Sequence, residues 1–105
     1  MACTFCSIIE KEIPSDIIYE DEKFLVFKDI QPKAPFHVLV IPKEHIVSLM
    51  EATKEHRSLM GDMIFLAKNV ANKQGLSGYK ILMNVGKDGG QEVDHMHLHV
   101  LASKV

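Results

Sequence analysis

The sequence has no tryptophan and only two cysteines among its 105 residues. Two cysteines cannot form a disulfide framework, which excludes the small disulfide-stabilised secreted domains. No apolar run approaches the roughly 20 residues that span a bilayer, and the longest, residues 36–41, is interrupted by His37. The net charge of −2 provides no electrostatic attraction for nucleic acid or for an anionic membrane. The first residues lack the basic and apolar regions of a signal peptide, so we expect a cytoplasmic protein.

The composition and the turn residues predict one α+β domain over residues 1–105. A hydrophobic fraction of 47% and a charged fraction of 25% are typical of a chain with a buried core. No internal repeat or linker divides the chain. The pattern predicts a short helix over residues 5–10 and an antiparallel sheet of about five strands. The strands are expected at residues 16–20, 23–28, 36–41, 79–83 and 95–101.

The middle of the chain predicts one long helix. Apolar residues recur there at spacings of three and four and form one apolar stripe: Leu59, Met60, Met63, Ile64, Ala67, Val70 and Ala71. Thr53 fits the N-cap, and Gly75 fits the end of the helix. One helix covers one face of the sheet, which leaves the other face for a ligand or a second subunit.

Three of the six histidines, His95, His97 and His99, occupy alternate positions. Alternate side chains of a strand point to the same face, so the three imidazoles are expected to share one surface. Lysine, threonine or glutamate would serve a solvated face equally well, so solubility does not explain the row. Three imidazoles can bind a catalytic zinc ion. Alternatively, one imidazole can attack phosphorus while its neighbours supply protons and positive charge. The row alone leaves both chemistries open.

The segment before the row, residues 84–94, is rich in glycine and longer than an ordinary hairpin loop. Glycines allow backbone N–H groups to approach an anion closely, and Asn84 and Gln91 add neutral donors. A flexible turn can have the same composition. A loop of this kind that ends on a histidine row favours a phosphate site, and hence attack on phosphorus.

At this point the sequence resembles a known family. Residues 95–101 match the histidine triad motif, His-x-His-x-His followed by two apolar residues. Short matches extend along nearly the whole chain, at residues 5–9, 12–14, 19–21, 29–30, 34–35, 37–43, 45, 84 and 89–91. They resemble the branch of histidine triad nucleotide-binding proteins, and within it the purine nucleoside phosphoramidases more than the diadenosine polyphosphate hydrolases.

The resemblance implies hydrolysis of purine nucleoside 5′-phosphoramidates through a nucleotidyl-histidine intermediate. In it His97 attacks the α-phosphorus, His99 contacts the phosphate and helps to protonate the leaving group, and His37 helps to hold both in position. The implied nucleotide site has three parts. They are Phe5, Ile8, Phe27, Ile30 and Leu39 around the base, Asp29 at the ribose, and Asn84, Gly90, Gln91, Glu92, Val93, His97 and His99 around the phosphate.

Cys3 and Cys6 form a Cys-x-x-Cys pair, which by itself fits buried thiols, a redox pair or a metal site. The resemblance implies the last of these, because family members with this pair often bind a structural zinc ion. The other two ligands would be His45 and His95, which completes a closed set of four. No catalytic metal is implied. The family is typically a homodimer, and the resemblance implies the same partner here, with no nucleic acid and no membrane.

Glu92 departs from the pattern of many phosphoramidase-like members, which have serine near the scissile bond. A carboxylate beside a phosphate is repulsive unless it is protonated or turned away, so this position leaves the substrate preference open. Three alternatives to the leading hypothesis also remain. They are a nucleotide-binding or scaffolding protein with incidental turnover, a dinucleoside polyphosphate hydrolase, and a hydrolase that holds catalytic zinc on the histidine row.

Overall fold

Helices and strands build an α+β fold in residues 3–105, the part of the chain that this computed structural model describes. The helices are α1 Thr4–Ile9 and α2 Arg57–Lys73, and the strands are β1 Ile17–Glu20, β2 Phe24–Lys28, β3 Phe36–Pro42, β4 Lys80–Leu82 and β5 Leu98–Ala102. The five strands pair antiparallel in the order β1-β2-β3-β5-β4. The predicted fold class, the sheet and both helices are confirmed. No helix in this part of the chain has the length and apolarity needed to cross a membrane.

Helix α2 packs on one face of the sheet. Strand β3 is buried along its whole length because it is the central strand, with β2 on one side and β5 on the other. The core between helix and sheet contains four α2 residues, Met63, Leu66, Ala67 and Val70. The predicted apolar stripe is wrong at Ile64, which is 52% exposed. Ile64 lies about 100° around the helix from Met63, which places it at the margin of the buried face.

Helix α1 covers part of the opposite face, which the prediction had left free. Its buried residues form a second core with residues of β2 and β3: Phe5, Ile8, Leu25, Phe27, Leu39 and Ile41. The Phe5 and Phe27 rings meet edge-on with 5.4 Å between their centroids, a favourable aromatic arrangement. The short first helix is therefore part of the sheet packing.

The long helical segment begins after Thr53 and ends near Gly75, the two residues predicted to bound it. A 3-10 turn, Lys54–His56, begins after Thr53 and runs into α2. The backbone N–H of Thr53 donates to Nδ1 of His56 at 3.0 Å, and Nε2 of His56 lies 2.9 Å from a Glu44 carboxylate oxygen. At the other end Gly75 has a φ of +72°, a left-handed conformation that glycine adopts without steric cost and that ends the helix.

Strand β5 begins at Leu98, whereas the sequence predicted a start at His95. The N–H of His95 donates to the carbonyl of Val93 at 2.8 Å, and the N–H of Met96 donates to the carbonyl of Ile46 at 2.7 Å. These bonds tie the segment to its own loop and to the chain that follows β3, so it does not join the sheet ladder. The alternation nevertheless continues through it, since Met96 and Leu98 both lie in the core beneath α2.

Candidate active site

A cleft of about 580 Å³ opens beside α1 on the sheet face away from α2. Part of its lining is apolar and contains every residue expected around the base: Phe5, Ile8, Phe27, Ile30 and Leu39. The polar part contains the expected ribose, phosphate and catalytic positions: Asp29, His37, Asn84, Gly90, Glu92, Val93, His97 and His99. Of the residues predicted to bind nucleotide, Gln91 is the one that lies outside this lining.

The imidazole of His97 is held in one tautomer. Its Nδ1 lies 2.7 Å from the carbonyl oxygen of His95. Because a carbonyl oxygen only accepts hydrogen bonds, Nδ1 carries the ring proton and Nε2 keeps its lone pair. Burial lowers the pKa of His97, which keeps the ring neutral, and the Phe5 ring stands edge-on to it at 5.1 Å. A neutral imidazole with a free Nε2 is a competent nucleophile.

His37 and His99 form a hydrogen-bonded pair next to His97. Nε2 of His37 lies 2.9 Å from Nδ1 of His99, and the ring centroids of His97 and His99 are 5.0 Å apart. Burial lowers the pKa of His37. Burial, followed by the neighbouring His97 and His37, lowers the pKa of His99 to about 4. Near neutral pH the cleft therefore contains three uncharged imidazoles.

The low pKa of His99 predicts a loss of stability in acid. This pKa is about 4 in the folded chain against an ordinary value of 6.5, so the unfolded state binds more protons between these two values. This contribution to stability is complete above the ordinary value and is lost progressively as the pH drops toward about 4. Urea unfolding over this range should show a shallower pH dependence for His99→Asn, which does not titrate. Equal slopes for variant and wild type would contradict the low pKa.

Asp29 follows β2 and lies beside the imidazole pair. One of its oxygens accepts the backbone N–H of Gln31 at 2.9 Å, and the other lies 3.4 Å from Nε2 of His37. The carboxylate is half-buried and lines the cleft. It can therefore accept hydrogen bonds from the hydroxyl groups of a ligand.

The glycine-rich loop, residues 84–94, holds fewer free backbone donors than predicted. The N–H groups of Gly89 and Gln91 both donate to the carbonyl of Gly86, at 3.1 and 3.0 Å. The N–H of Gly90 donates to another carbonyl of the same loop at 3.0 Å. These three donors close the loop on itself, so the structure does not leave them free for a phosphate.

The Gln91 side chain stabilises this loop through three hydrogen bonds. Its Oε1 accepts the N–H of Gly86 at 2.8 Å, and its Nε2 donates to the carbonyls of Val47 and Val93 at 2.6 and 2.9 Å. Each polar atom of the amide is thus occupied inside the protein. In this structure the Gln91 side chain therefore positions the loop, and its contact with phosphate stays a prediction.

Some donors that lack a partner lie one step further along the loop, on residues that line the cleft. Within residues 3–105 the backbone N–H groups of Glu92 and Val93 and the side-chain amide of Asn84 have no hydrogen-bond partner. All three residues line the cleft beside His97. Consecutive peptide N–H groups that face the same space stabilise an anion. Glu92 and Val93 are thus among the described cleft residues whose backbone N–H groups a ligand could still engage.

The four predicted zinc ligands, Cys3, Cys6, His45 and His95, meet in one cluster. Nδ1 of His95 lies 3.4 Å from Sγ of Cys3 and 3.2 Å from Nδ1 of His45. Sγ of Cys6 lies 3.3 Å from Nδ1 of His45. Nε2 of His95 lies 2.8 Å from the carbonyl oxygen of Pro42. That carbonyl holds the ring proton on Nε2 and turns the lone pair of Nδ1 toward the cluster, as a metal ligand requires.

The donor set fits a tetrahedral zinc ion. Bond lengths of about 2.3 Å to sulfur and 2.0–2.1 Å to nitrogen give N···N and N···S edges of roughly 3.3–3.6 Å. The observed separations are 3.2–3.6 Å. Two thiolates and two imidazoles leave no open position, which is typical of structural sites. Burial and the Cys3 thiol raise the pKa of Cys6 to about 11, so a bound metal would displace a thiol proton.

Comparison with known proteins agrees with this arrangement. A family model described as "Scavenger mRNA decapping enzyme C-term binding" matches residues 2–105. A solved HIT family hydrolase from Legionella pneumophila superposes with a TM-score of 0.95 at 42% identity, covering 99% of this chain and 95% of that one. The chain belongs to the histidine triad (HIT) family. At the level of the family, this histidine triad protein is a nucleotide hydrolase.

Two further relatives of this histidine triad protein bear on its chemistry. The purine nucleoside phosphoramidase of Escherichia coli strain K12 is 42% identical over 102 residues, which cover 95% of this chain and 86% of that protein. A zinc-bound histidine triad protein from Mycobacterium smegmatis superposes with a TM-score of 0.85 at 38% identity, covering 99% and 76% of the two chains.

The sequence predictions missed the backbone carbonyls that set the tautomers of His97 and His95. The carbonyl of His95 accepts the hydrogen bond from Nδ1 of His97, and the carbonyl of Pro42 accepts the one from Nε2 of His95. Every residue carries a carbonyl, so residue type holds no signal for such partners. They become visible only when the loops are placed beside the sheet.

Proposed function

We propose that this histidine triad protein hydrolyses purine nucleoside 5′-phosphoramidates to the nucleoside monophosphate and an amine. The observation that carries the proposal is the 2.7 Å hydrogen bond between Nδ1 of His97 and the carbonyl of His95, which leaves Nε2 as a lone-pair nitrogen in the cleft. The Escherichia coli relative named as a purine nucleoside phosphoramidase supports the reaction class.

In the first step Nε2 of His97 forms a bond to the α-phosphorus while the bond from phosphorus to the amine nitrogen breaks. Nε2 of His99, which is buried without a partner within residues 3–105, gives its proton to the amine nitrogen, which takes the electron pair of the broken bond. The His99 imidazolate that remains keeps the hydrogen bond from Nε2–H of His37 until water returns the proton. The positive charge on the substituted imidazole is shared by its Nδ1–H, which the carbonyl of His95 accepts. The product is a nucleotidyl-His97 intermediate.

In the second step a water oxygen forms a bond to phosphorus and the bond between phosphorus and Nε2 of His97 breaks. The water returns one proton to Nε2 of His99, so the histidines regain their starting state. The free N–H groups of Glu92 and Val93 stabilise negative charge on the phosphoryl oxygens in both steps. The nucleoside is held by stacking in the apolar part of the cleft and by hydrogen bonds from its ribose to Asp29.

The direct test is incubation with an adenosine 5′-phosphoramidate of a simple alkylamine. The expected products are AMP and the amine, with a nucleotidyl-protein adduct trapped by rapid quenching and located on His97 by mass spectrometry. Faster cleavage of a dinucleoside polyphosphate than of the phosphoramidate would favour the polyphosphate hydrolase instead. Tight AMP binding without turnover of either substrate would favour a nucleotide-binding or scaffolding protein.

Glu92 is expected to act on the choice of leaving group. It is exposed, lines the cleft and has no ion-pair partner within residues 3–105. Its negative charge is therefore expected to act on the leaving group. Its carboxylate favours a cationic leaving group over an anionic one. Glu92→Gln should lower the ratio of kcat/KM for an AMP–lysine phosphoramidate to that for a dinucleoside polyphosphate by about threefold to tenfold, and less at high salt. Asp88→Asn removes a carboxylate outside the lining and should leave the ratio unchanged.

A structural zinc ion at Cys3, Cys6, His45 and His95 is part of the proposal. The donor separations support it, as does the zinc-bound relative from Mycobacterium smegmatis. Zinc would supply only cross-linking between the first helix, the chain after β3 and the segment before β5. It takes no part in the reaction. Thiols that must stay reduced to bind metal suit a cytoplasmic location.

A homodimer completes the proposal. Strand β4 is an edge strand with every residue exposed, and α2 presents Phe65 at 64% exposure. An open edge strand and an uncovered apolar side chain favour pairing with a second copy. Phe65→Glu should lower the mass measured by light scattering from dimer to monomer. Gln74→Glu, which adds the same charge at the end of α2, should leave a dimer, and dimers of both variants would contradict this interface.

A further inference from the structure

The backbone N–H of Lys33 determines the tautomer of His37. This N–H donates to Nδ1 of His37 at 3.0 Å. Because a peptide N–H can only donate, Nδ1 must keep its lone pair, and the proton of the neutral ring lies on Nε2. The Asp29 carboxylate, 3.4 Å from Nε2, is an acceptor and favours the same arrangement. His37 is only 4% exposed, and burial lowers its pKa, so the neutral ring is the relevant form.

The same logic extends to His99. The Nε2–H of His37 donates to Nδ1 of His99 at 2.9 Å. Nδ1 of His99 therefore also keeps its lone pair, and the proton of this ring lies on Nε2. Within residues 3–105 that Nε2 is buried and has no hydrogen-bond partner. The chain of two hydrogen bonds thus ends in a donor that only a ligand can satisfy.

We propose that the Lys33 peptide N–H is a positioning group that, through His37, holds the proton of His99 on the nitrogen from which the leaving amine takes it. Without this N–H the Asp29 carboxylate, 3.4 Å away, is the remaining group that favours a proton on Nε2 of His37. Both rings then carry their protons on Nδ1 in a larger share of the molecules, and in those molecules His99 presents a lone pair where a donor is needed. The kinetic consequence rests on the proposed function, whereas the tautomers themselves do not.

The tautomers of His37 and His99 also distinguish two possible roles of Asp29, His37 and His99, as metal ligands or as hydrogen-bonded groups. Their donor atoms lie within 4.8 Å of one another, close enough to surround a metal ion. A nitrogen that carries a proton is not a metal ligand, however, and the Lys33 N–H keeps the proton on Nε2 of His37. In this tautomeric state the group is therefore a chain of hydrogen bonds rather than a set of metal ligands.

Lys33→Pro removes the peptide N–H that donates to His37. Position 33 lies in the loop between β2 and β3, outside the sheet ladder, and proline lacks the N–H. Lys33→Pro also removes the lysine ammonium, so the matched control is Lys33→Ala, which loses the same charge and keeps the N–H. Differences between these two variants report on the peptide N–H rather than on the side chain.

The kinetic readout uses two leaving groups. An alkylamine must be protonated to leave, whereas a nitrophenolate departs as an anion. Relative to Lys33→Ala, Lys33→Pro should lower kcat at least about tenfold on an adenosine 5′-phosphoramidate. It should change kcat less than about twofold on a nitrophenyl ester of AMP. Equal losses on both substrates would indicate general damage to the cleft and overturn the proposal.

A direct readout needs no variant and no turnover. Long-range ¹H–¹⁵N spectra of the wild-type protein at neutral pH distinguish a ring proton on Nδ1 from one on Nε2. Both His37 and His99 should carry it on Nε2, and a scalar coupling should connect the Lys33 nitrogen to Nδ1 of His37. A proton on Nδ1 of either ring overturns the proposal, even if Lys33→Pro fails to fold. If the wild type turns over neither substrate, the proposed function fails while these spectra still decide the tautomers.

Discussion

Replacing His97 with alanine is expected to lower kcat/KM for an adenosine 5′-phosphoramidate by roughly 10⁴-fold or more. The covalent route is lost with the imidazole, and removal of an enzymatic nucleophile typically costs this much. AMP should still bind, because the apolar part of the cleft, Asp29 and the free N–H groups at residues 92 and 93 remain. Steady-state kinetics and equilibrium binding of AMP to the same preparation measure the two effects separately.

Two further variants provide a chemical rescue and a control for this test. His97→Gly leaves a space in which added imidazole can take the place of the side chain, so partial recovery of turnover with imidazole is expected. His56→Ala removes a histidine that accepts a hydrogen bond at the start of the α2 segment and lies outside the cleft lining, and it should retain wild-type kcat. Retained turnover in both His97 variants without imidazole would exclude His97 as the nucleophile.

Removing zinc from protein loaded with it at the proposed site, Cys3, Cys6, His45 and His95, should cost more stability than any surface substitution. An ion present at a thousandfold excess over its Kd stabilises the folded state by about 4 kcal/mol. For a domain of this size that corresponds to roughly 15–30 °C in Tm. A chelator added to zinc-loaded protein should lower the Tm by this amount, as followed by calorimetry, and added zinc should restore it.

The control for this experiment is Cys3→Ser, which removes one ligand. Its Tm should already be low and should not respond further to the chelator. The same experiment distinguishes a structural zinc ion from a catalytic one. Below its melting temperature the chelated protein should retain turnover, because the set of four ligands has no open position for substrate. Complete loss of turnover in protein that is still folded would instead favour zinc chemistry on the histidine row.

The alternation of residues 95–100 is the part of the site that the sequence predicted best. Side chains of an extended segment alternate between two faces, so Met96 and Leu98 in the core beneath α2 imply that the histidines between them face away from it. The prediction held even though β5 begins only at Leu98, because an extended chain keeps this period without ladder partners. What the period does not determine is the different partner that each imidazole finds.

The zinc ligands and the loop donors lay beyond sequence reasoning for physical reasons. Cys3 and His95 are 92 positions apart, so no local spacing brings them together, and only the resemblance to a family predicted the set. The glycine composition of residues 84–94 did predict backbone N–H groups that can approach an anion closely. It did not determine their direction, because Gly86 and Gly90 adopt left-handed φ values of +73° and +87° that turn several of them back into the loop.

The free donors at residues 92 and 93 belong to the peptide and not to side chains. Any amino acid except proline supplies the same N–H. In the proposed phosphate site, anion recognition therefore does not depend on which residue occupies position 92, while the side chain there varies beside the leaving group. On that proposal a saturation library at position 92 should change the substrate range without weakening the binding of the phosphate.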